Sequence, residues 1–231
     1  MIQGALLTTP VVSREGIFFW LLRTTVKVRY SFFVTAALLG MNARSKLALA
    51  VWIAVSFAAI LLHELGHAMA ARAFGGTPEI ELYSFGGVTR SAWVETTRWH
   101  QRVVISLAGS GSGFPFGGLE YAREIFAADR GSYLIALAGR DFLWITLGWG
   151  LFNLLPLLPM DGGLALAEVL EHLLGGGRGQ PLARRISVVT GAAGVAAGLV
   201  LGQTWAALLC GMFAIDNYQR LRGLAGVELP R

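Results

Sequence analysis

The stretch LALAVWIAVSFAAILLHELGHAMAARAF, residues 47–74, decides the architecture. It is longer than the roughly 20 apolar residues that cross the hydrocarbon core of a bilayer. Its only ionisable side chains are His63, Glu64, His67 and Arg72. A charged group at the centre of a membrane helix costs at least about 2.5 kcal/mol. Ionisable residues packed into five positions of such a helix therefore mark a site rather than a solvated face.

The rest of the chain fits a bilayer. Hydrophobic residues make up 55% and charged residues 14% of the 231 positions, and the mean hydropathy is +0.58. A soluble domain carries about 25% charged residues. Thirty glycines suit helices that approach closely where no water drives them together. Further apolar segments run over 30–41, 103–119, 142–158, 186–202 and 204–218, the first and last short enough to be re-entrant. Thr77–His100 is polar and aromatic with partial alternation, broken at Gly86-Gly87, and predicts a β-hairpin or edge sheet. The expected class is an all-α polytopic membrane protein of about six transmembrane segments, with a small hairpin or sheet after the second. It reads as one integral-membrane domain over 1–231, with a core over 47–163 and no soluble accessory domain.

The formal charge of +5 does not point to nucleic acid, because Lys and Arg are scattered among apolar segments without interleaved aromatics. If all six segments cross, fourteen basic residues fall on one side. The other side holds Arg44, Lys46, Arg123, Arg130 and Arg140. The positive-inside rule then places both termini in the cytoplasm. Cys210, the single cysteine, reads as a small buried hydrophobe and excludes an internal disulfide. Residues 1–16 lack a basic start and a full apolar core, so no signal peptide is expected. Trp93, Trp99, Trp144, Trp149 and Trp205 read as interface belt or packing residues, and Arg140-Asp141 as an interfacial ion pair rather than a gate.

Histidines at i and i+4 project from one helix face, so His63 and His67 can share one tetrahedral Zn²⁺. Glu64 then sits beside the open coordination position, where it can take a proton from water. A catalytic site of this kind needs a third protein ligand. His100 and His172 are candidates, but both lie in charged, interfacial sequence. Asp161 is better placed, because it follows the apolar run Leu151–Met160 and precedes Gly162-Gly163. Pro156 and Pro159 break the helix before it and deliver the carboxylate on a turn. Asp161 is also a possible N-cap for residues 164–174, a role compatible with ligation.

His63-Glu64-Leu65-Gly66-His67, followed by Asn153-Leu154-Leu155-Pro156-Leu157-Leu158-Pro159-Met160-Asp161-Gly162, resembles the two-part signature of the site-2 protease family of intramembrane zinc metalloproteases. The resemblance covers residues 47–163, and Phe85-Gly86-Gly87-Val88 is similar to the short sheet-forming stretch of many members. It implies one zinc per chain held by His63, His67 and Asp161, with Glu64 as general base and acid. It gives Asn153 the hydrogen bond to substrate backbone or oxyanion, although by itself Asn153 reads as a helix-packing residue. The implied activity is regulated intramembrane proteolysis of transmembrane protein substrates. One departure stands out: many members carry Ala-Gly-Pro and a following Asn where this chain reads Ala108-Gly109-Ser110-Gly111-Ser112-Gly113.

Nine residues separate Leu65 from Phe74, which sets the metal roughly 10–14 Å inside that face of the membrane. A helical substrate must unwind there, and a strand within 77–90 offers an edge to hold it extended. The competing readings are a family member that binds transmembrane partners without cutting them, a membrane metal transporter, and a metallopeptidase of soluble peptides. No second cluster of His, Asp or Glu lies within the spans to support transport. A prokaryotic inner membrane is the expected location. Substrate identity and oligomeric state are not legible.

Overall fold

The computed structural model describes residues 9–92, 97–126 and 133–223. Trp93, Arg130 and Arg231, used in the belt and charge readings, lie outside the described residues. By internal contact the chain divides into two compact units, one of residues 1–96 with 108–150, the other of 97–107 with 151–231.

The first unit begins with β1 (Val11–Val12), β2 (Gly16–Leu21) and β3 (Thr24–Arg29), then α1 (Tyr30–Leu39) and α2 (Lys46–Ala73), then β4 (Thr77–Tyr83) and β5 (Gly86–Ala92). The strands form one sheet in the order β1-β2-β3-β4-β5. All pairs are antiparallel except β3–β4, where the long α1–α2 connection carries the chain back for parallel pairing. The mostly helical class holds, and the expected hairpin is β4–β5. The sheet is larger than that hairpin because residues 11–29 add three strands, of which β3 alternates buried and less buried side chains. Thr24, Val26 and Val28 of β3 are buried, as are Pro78, Ile80 and Leu82 of β4. Val26, Val28, Ile80 and Leu82 pack with Phe32 of α1 and with Leu61 and Ala68 of α2. This core fixes the sheet against the part of α2 that carries His63–His67.

Two details lock that arrangement. The β2–β3 turn is only Leu22 and Arg23, both with positive φ (49° and 63°), the left-handed geometry that two-residue hairpins need. Arg72, in the last turn of α2, donates to the carbonyls of Leu22 and Arg23 and to Thr24 Oγ1, so the helix end holds the turn.

The helix α3 (Trp99–Phe126) begins in the second unit and continues in the first; α4 (Tyr133–Asn153) contains a π-helical segment, Trp144–Trp149. The second unit continues with α5 (Asp161–Leu174), α6 (Gly179–Val200) and α7 (Thr204–Leu221). Among the described residues, α2, α4 and α6 are long and apolar enough to cross a membrane. The expected first span is a helix of only 10 residues. The α6–α7 pair shows where the glycines are spent. A Cβ at Gly191, Gly194 or Gly198 would lie within 2.8 Å of Ala214, Cys210 or Ala207. Cys210 is 1% exposed and serves as a packing residue of that contact, as expected.

Candidate metal centre

Within the first unit, the helical spacing of His63 and His67 brings their Nε2 atoms to 3.1 Å. Two zinc–nitrogen bonds of 2.0–2.1 Å at a tetrahedral angle put their nitrogens about 3.3 Å apart. The pair therefore already presents one edge of a coordination tetrahedron. Gly109 of α3 leaves the space in front of them: a Cβ there would sit 2.2 Å from His67 Nε2 and 2.7 Å from His63 Nε2. That cradle, together with two imidazoles of suitable type, fits a zinc ion.

Glu64 is 5% exposed and is held from the sheet. Thr89 of β5 has its hydroxyl 2.7 Å from Glu64 Oε2 and 3.1 Å from the Glu64 carbonyl, and donates to the carboxylate as the stronger acceptor. Gly87 makes room for the same side chain, since a Cβ there would lie 2.4 Å from Glu64 Cγ. Sequence reading gave Glu64 its role but missed both supports. The Phe85-Gly86-Gly87-Val88-Thr89 run was their only trace, and its glycine looked like a strand breaker.

The departure at 108–113 has a structural account. A Cβ on Gly66 would meet the Ala108 carbonyl and Ser112 Oγ at 2.4 Å, so α2 and α3 touch backbone to backbone. Ser112 Oγ lies 3.2 Å from the Leu62 carbonyl and 2.8 Å from that of Gly109. Ser110 donates to the Gly150 carbonyl of α4 at 3.1 Å. Serine hydroxyls thus tie α3 to its neighbours in a stretch that has neither the proline nor the asparagine.

In the second unit, Asp161 is 8% exposed and opens α5, with Met160 as its N-cap residue. Asp161 is thus not the cap itself but sits in the first turn, where the helix dipole favours a carboxylate. The turn before it is built by Pro156 and Pro159, the second in a cis peptide with Leu158. Gly162 and Gly163 let the turn fold back on the helix start: their Cβ atoms would lie 2.1 Å from the Leu154 carbonyl oxygen and 2.5 Å from the Leu157 carbonyl carbon. Both backbone polar groups of Leu158 are taken by buried side chains. Its N–H donates to Ser187 Oγ at 2.9 Å, and its carbonyl accepts from Asn217 Nδ2 at 2.7 Å. Ser187 and Asn217 are both fully buried. Neither was singled out from sequence, since a lone Ser or Asn in an apolar helix carries no signal there.

Asn153, at the end of α4, is 6% exposed, and its amide bonds to no described residue. His172 stacks on Trp99 (centroids 4.3 Å apart, planes at 13°) and His100 meets the same indole edge-on. Both alternative ligands are thus occupied as aromatic packing groups.

A helix with two converging imidazoles and a buried glutamate, sheet-supported in a protein with membrane-length helices, defines a zinc-metalloprotease class of site. No family model matches the chain. It is 31% identical over 172 residues to "Putative zinc metalloprotease sll0528" of Synechocystis, covering 70% of this chain and 44% of that protein. It is 28% identical over 172 residues to "Putative zinc metalloprotease Rip3" of Mycobacterium tuberculosis, covering 66% and 41%. Its fold matches the site-2 protease from Methanocaldococcus jannaschii with a TM-score of 0.60 at 22% identity, covering 96% of this chain and 98% of that one. The chain is thus similar in sequence to proteins named as zinc metalloproteases and shares its fold with a site-2 protease. It spans about two fifths of the length of the curated relatives it matches.

Proposed function

We propose that this chain is a zinc metalloendopeptidase that cuts peptide bonds in transmembrane segments of membrane proteins. The carrying observation is the imidazole pair at 3.1 Å with the buried Glu64 beside it, on a helix of membrane length. One zinc per chain would be held by His63, His67 and Asp161, two neutral nitrogen donors and a carboxylate, which leave one position open for water. When bound, the ion supplies Lewis-acid polarisation of the scissile carbonyl and acidifies water.

Glu64 takes the proton of the attacking water and returns it to the leaving amine. Thr89 keeps the Glu64 carboxylate in one orientation for both transfers. The Asn153 amide, which bonds to no described residue, is available to donate to the developing oxyanion. The edge strand β5 passes Glu64 at Gly87 and Thr89, so a substrate segment added to that edge runs beside the base. The requirement for extended backbone selects substrates whose helices unwind, those carrying Gly or Pro near the cut. Cytoplasmic termini, supported by the count of basic residues, and a prokaryotic inner membrane complete the reading.

The test is zinc stoichiometry and cleavage of transmembrane-helix substrates beside a soluble peptide, wild type against Glu64→Gln. One zinc in both proteins, with only wild type cutting the helical substrates, supports the proposal. Zinc in both with no cleavage of a destabilised helix by wild type refutes it in favour of a binding role. Cleavage of the soluble peptide alone removes the intramembrane part.

A further inference from the structure

Three of the basic residues on the minority side of the charge count, Arg44, Arg123 and Arg140, converge on one cavity of about 730 Å³ in the first unit. That volume lies within the roughly 300–1,000 Å³ range of small-molecule sites. The cavity is set apart from the metal centre. Its α2 wall is Ala48 and Trp52, and the 11 residues from Trp52 to His63 amount to about 16 Å of helix.

The charges are arranged unequally. Arg123 is held by both carboxylate oxygens of Glu120, at 2.9 and 2.7 Å from Nε. Glu120 in turn lies over Gly139, where a Cβ would collide with its carboxylate. Arg140 reaches Asp141 only at 3.4 Å, and its own side chain is 71% exposed while Asp141 is nearly buried. Arg44, on the loop before α2, makes no ion pair with any described residue. Among the described residues, three guanidiniums stand against the two carboxylates of Glu120 and Asp141, an excess of one positive charge. Leu39, Leu137 and the Trp52 indole supply apolar wall beside them.

We propose that this cavity binds the phosphodiester headgroup of an anionic phospholipid. Arg44 and Arg140 present planar forks that suit two phosphate oxygens, which Lys would not reproduce. The residual single charge balances one phosphodiester. A zwitterionic lipid brings an ammonium or choline group and leaves the excess charge uncancelled. The position at the start of a membrane-length helix is the level of headgroups, and the apolar wall serves the glycerol and upper acyl chain, which free phosphate lacks. The basic residues that oppose the positive-inside bias thereby acquire a ligand. This inference holds whether or not the chain cuts peptides.

The test is retention of dioleoyl phosphatidylglycerol against dioleoyl phosphatidylcholine by the detergent-purified full chain, read by native mass spectrometry. Wild type retains one phosphatidylglycerol in preference, and Arg44→Gln with Arg140→Gln weakens it about a hundredfold, the loss of two charge-assisted pairs. Arg44→Gln alone, at an exposed residue without a described partner, gives a reduced preference even if the double variant fails to fold. Equal retention of both lipids by wild type, or undiminished phosphatidylglycerol binding by Arg44→Gln, overturns the site. Displacement of the lipid by inorganic phosphate overturns the lipid as its source and assigns a soluble phosphate instead.

Discussion

Replacing Gly109 by Ala separates the metal centre from the fold. The position is interior to α3, where Ala is favoured over Gly by about 1 kcal/mol. Helix stability should therefore not fall. The added Cβ, however, would stand 2.2 Å from His67 Nε2, 2.6 Å from His67 Cε1 and 2.7 Å from His63 Nε2. Ordinary contact begins at 3.4 Å, so the His67 ring must retreat by about 1.2 Å and the His63 ring by about 0.7 Å. The α3 backbone cannot make that room, because Gly66 already touches Ala108 and Ser112. The imidazoles must rotate, and they leave the arrangement that places both nitrogens on one ion. A misplacement of about 1 Å at reacting groups costs about 100-fold in rate. The expected result is a thermal midpoint equal to or above that of the metal-free wild type. Zinc stoichiometry falls well below one, and cleavage drops about 100-fold. Metal analysis after dialysis, alongside thermal unfolding with and without chelator, reads both effects. Full zinc occupancy and wild-type cleavage in Gly109→Ala would falsify the assignment of His63 and His67 as paired ligands facing α3.

Thr89→Val removes the hydroxyl that orients Glu64 at 2.7 Å. A hydrogen bond to a charged group is worth about 1.5–3 kcal/mol, so kcat should fall about tenfold or more with zinc content unchanged. Thr89→Ser should restore it, and equal turnover by Val and Thr would remove the role. Asn217→Ala strips the buried Leu158 carbonyl of its side-chain donor, at a cost of about 1–3 kcal/mol. The thermal midpoint and, through the turn that leads to Asp161, the zinc affinity should both drop; a variant that unfolds earlier yet binds zinc as tightly would confine Asn217 to stability. Glu81 of β4 bonds to Arg29 of β3 and Arg90 of β5. Burial alone would raise its carboxyl, but these guanidinium bonds outweigh it and hold the value below the ordinary one. Sheet stabilisation from Glu81 is thus present above the ordinary carboxylate range and is lost as pH falls through the depressed value. Acid unfolding of Glu81→Gln should show a shallower slope in that window, and identical slopes would rule the cluster out.

How much was legible follows from what each signal depends on. Long apolar runs and the i, i+4 histidines are local, so α2 and its motif were readable from residues 47–74. The β4–β5 hairpin was readable because alternation and glycine punctuation occur within one stretch. The strands β2 and β3 were not read. Ile17, Phe18 and Phe19 run together without alternation, and the segment leads into an apolar helix that dominates any window. Their pairing with β4 also depends on a crossover that joins residues about fifty positions apart, which periodicity cannot report.

The site divides along the same line. Chemistry-bearing residues announce themselves in a membrane helix, because an unexplained carboxylate or imidazole is expensive there. Their supports do not, because the supporting act is often the absence of atoms. Gly87 matters for the space left to Glu64, Gly109 for the space before two imidazoles, and Gly66 for the approach of α3. In a chain with thirty glycines, such positions are indistinguishable by composition from those that merely ease helix packing, such as Gly191 and Gly198. The 108–113 stretch illustrates the consequence. From sequence it was a departure that questioned helix geometry, since a proline and an asparagine were missing. In three dimensions its first glycine clears the metal face and Ser110 and Ser112 meet the Gly150 and Leu62 carbonyls. Close helix approach can be secured by hydroxyl–carbonyl bonds where a proline is lacking, so losing the motif need not mean losing the geometry that it serves.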